Sequence, residues 1–184
     1  MTPWYKFCII FENKDMKSLI PLICCLLFYS CEKIDEINQQ ILFQIEYSNA
    51  AWGTQHKIWL VDSSGILTSY NLPTKWNHPD DDGYLSLNEM NENISQSGVI
   101  GCNVDKSNLK KYFNLIDEAK KSQLTDPETQ MYDAGTVVFS GFMYDPKREK
   151  YFQVIIRQEG DVYVENKSPE AKEIYNWLKT LCII

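Results

Sequence analysis

The sequence predicts an α+β fold: a single domain whose mainly antiparallel sheet of about six strands is covered on one face by two or three helices. Three observations carry this expectation. Alternation of apolar and polar residues dominates from Ile41 onward, two turn-rich segments separate pairs of strand-like runs, and two apolar stripes recur at helical spacing. The composition agrees: 184 residues with 44% hydrophobic and 23% charged are enough for one globular core and too apolar for a disordered chain.

Phe43, Ile45 and Tyr47 alternate with Gln44 and Glu46, the pattern of a strand with one buried face. Residues 57–62 and 66–71 flank Ser63-Ser64-Gly65 and predict a hairpin. Ser86-Leu87-Asn88-Glu89 has the spacing of a capping box, so a short helix is expected from Ser86. Leu109, Tyr112, Phe113, Ile116 and Ala119 form one apolar stripe and predict a helix over 106–122. Residues 136–144 and 150–157 flank Asp145-Pro146-Lys147-Arg148-Glu149, a second hairpin, and Glu159-Gly160 leads into a third strand over 161–165. Ser168-Pro169-Glu170 supplies an N-cap, a proline at the first helical position and an acid in the first turn. The last helix follows, with Ala171, Ile174, Tyr175, Leu178 and Leu181 on one face.

The first thirty residues fit none of this. Lys17 precedes eleven mostly apolar residues, Leu19 to Tyr29, and Ser30-Cys31 follows. That run suits a secretory signal and is short of the roughly 20 residues a membrane span needs. Residues 1–15 place Glu12 and Asp15 where a signal carries positive charge, so Met16 is the expected initiator. Ser30-Cys31 resembles the bacterial lipobox. The resemblance implies diacylglycerol transfer to the Cys31 sulfur, cleavage before it and N-acylation, typically with palmitate. The signal and the Lys33, Asp35 and Glu36 that follow resemble lipoproteins of Bacteroidota, which implies outer-membrane attachment, facing the periplasm or the cell surface. The expected organisation is a signal peptide over 1–30, a lipidated tether over 31–40 and one domain over 41–184.

Six cysteines first suggest a disulfide framework. Cleavage before Cys31 would remove Cys8, Cys24 and Cys25 and leave Cys102 and Cys182 as one possible disulfide in an oxidising envelope. A net charge of −7, from 18 Lys+Arg against 25 Asp+Glu, gives no electrostatic footprint for nucleic acid.

Candidate sites are few. On the spacing of a calcium loop, residues 78–89 put Asp80, Asp82, Ser86 and Glu89 at ligand positions. His78 stands where the first oxygen belongs, and Ser86 with Glu89 also suits a helix cap, so calcium is a weak expectation and no other cofactor is implied. Trp52, His56 and Trp76 belong to an aromatic concentration suited to a sugar or peptide, with Trp59 expected in the core. No catalytic residue is assigned: HExxH, GxSxG and CxxC patterns are lacking, and Asp133, Asp161 and Glu165 show no nucleophile–base spacing. The expectation is a noncatalytic, membrane-anchored envelope lipoprotein that binds a protein or glycan. An inhibitor or immunity-type lipoprotein and a carbohydrate-binding accessory module are the alternatives.

Overall fold

The computed structural model describes residues 37–51 and 53–181. The chain divides into two units, 1–36 and 37–184, and the described fold belongs to the second. Its first described residue is Ile37. Ile37 packs against the main core, and the Gln39 side-chain amide donates to the carbonyls of Ile41 and Phe142.

The fold is a mixed α/β domain built on one antiparallel sheet. Its strands are β1 (Ile41–Asn49), β2 (Gln55–Asp62), β3 (Ile66–Asn71), β4 (Tyr84–Ser86), β5 (Val99–Asn103), β6 (Glu128–Thr129), β7 (Thr136–Asp145), β8 (Lys150–Gly160) and β9 (Val162–Glu165). They run in the order β5-β3-β2-β1-β7-β8-β9-β6, and β4 pairs with the start of β8. The nine strands among the described residues exceed the expected number of about six. The three extra strands are short edge pieces, β4 and β6, and β5, whose Val99 and Ile100 are exposed and give no alternation.

Both hairpins form where turn chemistry demands them. The Asp62 carboxylate accepts hydrogen bonds from the backbone N–H groups of Ser64 and Ile66, and Gly65 takes a positive φ of 90°. Gly65 also lies against the Val104 carbonyl, where a Cβ would sit 2.7 Å from the oxygen. At the second hairpin the Asp145 carboxylate accepts from the Lys147 N–H.

Among the described residues four helices accompany the sheet: α1 (Leu87–Ile94), α2 (Lys106–Asn114), α3 (Ile116–Lys121) and α4 (Pro169–Leu178). The stripe over 106–122 is therefore two helices separated by Leu115, not one. Beyond the break, Ile116 is buried against Gly141 of β7, where the missing side chain lets the helix approach. Ser168 caps α4 as expected, accepting from the Ala171 N–H at 2.9 Å. The capping box on α1 is complete: Glu89 N–H donates to Ser86 Oγ and Ser86 N–H to the Glu89 carboxylate.

The expectation of helices on one face is corrected. Trp59 and Val61 of β2 enter a core with Phe43, Phe139 and residues of α2, α3 and α4. Ile58 and Leu60, on the opposite face of the same strand, enter a second core with Phe142, Tyr151 and Met90 of α1. The sheet thus has apolar layers on both sides. That is why Phe43 and Gln44, at neighbouring positions of β1, are both buried. On the larger side, Trp177 of α4 stacks on Tyr112 of α2 with centroids 4.4 Å apart and meets Phe43 edge-on at 5.0 Å.

Candidate functional site

The second face is apolar only over part of its area. Toward the end of β1 and the start of β2 the inward positions change from Ile58 and Leu60 to His56, and from Ile41 to Gln44, Glu46 and Ser48. Ser48 pairs with His56 and Glu46 with Ile58, so Glu46 and His56 are diagonal neighbours on one face. His56 Nε2 lies 2.7 Å from Glu46 Oε1.

His78 joins this pair from the loop between β3 and β4. Its Nδ1 lies 3.6 Å from the same carboxylate oxygen, and its ring stacks on His56 with centroids 5.9 Å apart. The loop is fixed from behind by α1. Asn93, 1% exposed, accepts from the Asn77 N–H through Oδ1 and donates to the Asn77 carbonyl through Nδ2, both at 2.8 Å. A buried side-chain amide paired this way with a backbone amide holds the residue preceding His78 in register with the sheet.

The chain has two histidines, and both converge on Glu46. Glu46 and His56 are largely buried, with side chains 14% and 19% exposed, whereas His78 is 55% exposed. Gln44 Nε2 donates to the second oxygen, Glu46 Oε2, at 2.8 Å and fixes the carboxylate plane. The cluster borders a cleft of about 470 Å³ whose far wall includes Thr136 and Asp161. A larger groove of about 670 Å³ runs along residues 70–77 and the end of α1, but its charged groups, Lys75 and Glu92, pair with each other at 2.9 Å. The smaller cleft is the one that carries the histidine–carboxylate cluster.

Of the four residues of the expected calcium loop, Ser86 and Glu89 meet in the capping box and Asp80 is engaged in a separate turn. Asp80 Oδ1 accepts the N–H groups of Asp82 and Tyr84 and closes a turn. Glu89 caps α1, and the Ser86 hydrogen bonds that do this hold its carboxyl below the ordinary carboxylate range. Residues 84–86, the middle of that supposed loop, are strand β4. Among the described residues, the group of His, Cys, Asp or Glu side chains whose ligand atoms all lie within 4.8 Å is Glu46, His56 and His78.

Trp59 is in the core as expected, and Trp76 packs on Tyr70 at 5.3 Å, half-buried against the second core. Trp52, Cys31 and Cys182 lie outside the described residues. Cys102 is disulfide-bonded, and every other cysteine of the chain lies outside the described residues. Asp133 and Asp161 are turn residues: Asp133 has a φ of 66°, and the Asp161 carboxylate accepts the Ala134 N–H. Glu165 pairs with Arg157 and Tyr163.

Sequence reasoning placed His56 in a ligand-binding set and His78 in an acidic loop without joining them. The polar run Gln44-x-Glu46-x-Ser48 on a strand otherwise facing a core was the available signal. His78 had none, because its position depends on Asn93. No protein-family model, no curated protein and no solved structure matches the chain.

Proposed function

We propose that the chain is a bacterial cell-envelope lipoprotein, held to the outer membrane by lipid on Cys31, whose domain is a noncatalytic binding module for a protein or glycan. The observation that carries this reading is the Ser30-Cys31 junction at the end of a short apolar run. Its distance from the fold supports it. Five residues separate Cys31 from Ile37, a reach of at most about 22 Å over six Cα–Cα steps, so the domain would work close to the lipid headgroups. Two or three acyl chains suffice for stable anchoring where one does not. Among the described residues no helix is long and apolar enough to cross a membrane.

The binding half of the reading rests on the cleft beside Glu46, which gathers polar groups from five segments of chain, including Glu46, His56, His78, Thr136 and Asp161. Growth with an alkyne-tagged palmitate, followed by mass spectrometry of the N-terminal peptide, tests the anchor. The expected result is a diacylglyceryl-modified, N-acylated Cys31 at the mature terminus, lost in Cys31→Ala. An unmodified Cys31, or a mature chain that still carries residues before it, would overturn the reading.

A further inference from the structure

We infer that Glu46, His56 and His78 form a binding site for a divalent transition-metal ion of the zinc class. The inference concerns the domain alone and does not depend on the lipid anchor. Imidazole nitrogens and a carboxylate oxygen suit Zn²⁺ and its neighbours far better than Ca²⁺ or Mg²⁺, which take oxygen ligands. Zinc lies about 2.0–2.2 Å from such atoms, so tetrahedral ligands stand roughly 3.3–3.5 Å apart. Glu46 Oε1 is 2.7 Å from His56 Nε2 and 3.6 Å from His78 Nδ1, and all three ligand atoms fall within 4.8 Å. Coordination asks the Glu46–His56 pair to open by about 0.6 Å and the two imidazoles, at most 4.8 Å apart, to close by up to about 1.3 Å, within reach of side-chain rotation.

Three further features match a metal site rather than a simple ion pair. Glu46 is a largely buried carboxylate whose ion-pair partners, among the described residues, are the two imidazoles and no lysine or arginine. Gln44, 4% exposed, holds the oxygen that does not face the histidines, as an outer partner orients a ligating carboxylate. His78 is presented by a loop that the buried Asn93 clamps in place. Three protein ligands leave a fourth position open, and all three residues line the cleft of about 470 Å³. A carboxylate, imidazole or hydroxyl from a bound partner could complete the coordination sphere.

The test uses the full chain in detergent, with any tag removed and metal stripped by a chelator, titrated with ZnCl₂ in a calorimeter and with Co²⁺ for its visible ligand-field bands. The expected result is one Zn²⁺ per chain with a dissociation constant at or below about 10 µM, and Co²⁺ bands of a four- or five-coordinate site. His78→Ala, which removes an exposed loop side chain, is expected to weaken binding at least tenfold while leaving the circular dichroism spectrum unchanged. Gln44→Leu should weaken it by about 10- to 100-fold through loss of carboxylate positioning. Absence of saturable Zn²⁺ binding by the unsubstituted protein would overturn the inference. So would retention of its affinity within threefold in both His78→Ala and His56→Ala.

Discussion

Asn93→Ala isolates the contact that joins α1 to the site. Asn93 is 1% exposed, and its side chain makes two 2.8 Å hydrogen bonds to the backbone of Asn77. Each such bond contributes about 1 kcal/mol net, and leaving a partly buried N–H and C=O unpaired adds a desolvation penalty of about 1–3 kcal/mol. The expected loss is therefore about 2–4 kcal/mol, read by urea unfolding as a lower midpoint at unchanged slope. Asn91→Ala is the control: it is exposed on the same helix, and its change should stay within about 0.5 kcal/mol. A second readout tests position rather than stability. At low denaturant, where Asn93→Ala remains folded, Zn²⁺ affinity should fall because the residue before His78 has lost its register. A loss of stability below about 1 kcal/mol, or an unchanged Zn²⁺ affinity, would refute the clamp.

Other expectations follow from single contacts. Gly160 has a φ of 110°, and a Cβ there would lie 2.0 Å from the Gly135 carbonyl oxygen, so Gly160→Ala should destabilise the β8–β9 turn by more than about 2 kcal/mol in the same assay. Burial raises Tyr70 and Tyr151 above their ordinary pKa. Since folding favours their neutral form, that stabilisation is complete below about pH 10 and is lost as pH rises toward the folded values. Tyrosinate absorbance should therefore appear in two stages, with the second coinciding with unfolding; a single stage near pH 10 would be contrary to the burial argument. Cys102 is expected to pair with Cys182, because Cys102 and Leu181 both pack against the main core. Mass spectrometry of the unreduced protein should show the linked peptides, and Cys182→Ser should cost about 4 kcal/mol by loop-closure entropy. Two free thiols after purification without reductant would exclude that pairing.

Much of the scaffold was legible in the chain because the signals were local. The Ser63-Ser64-Gly65 turn, the Ser86–Glu89 capping box and the Ser168-Pro169 start of the last helix each depend on residues within four positions of one another, and each forms as expected. Strand β5 was missed because an edge strand with Val99 and Ile100 exposed lacks the alternation by which strands are recognised. The helix over 106–122 was read as continuous because the stripe is continuous. Its break at Leu115 coincides with Ile116 settling against Gly141, a residue distant in sequence.

The same division separates the two halves of the candidate site. The sequence by itself determined that Gln44, Glu46 and Ser48 share one face of a strand, since alternation is a property of extended backbone. It also determined the two hairpins and the helix caps at Ser86 and Ser168. Only the tertiary structure decided that the sheet is covered on both faces, which turns an outward Glu46 into a largely buried one. Tertiary structure also decided that His78 meets His56 across that carboxylate. Their convergence depends on strand register and on Asn93 reaching Asn77, and long-range packing of this kind leaves no periodic trace in the chain.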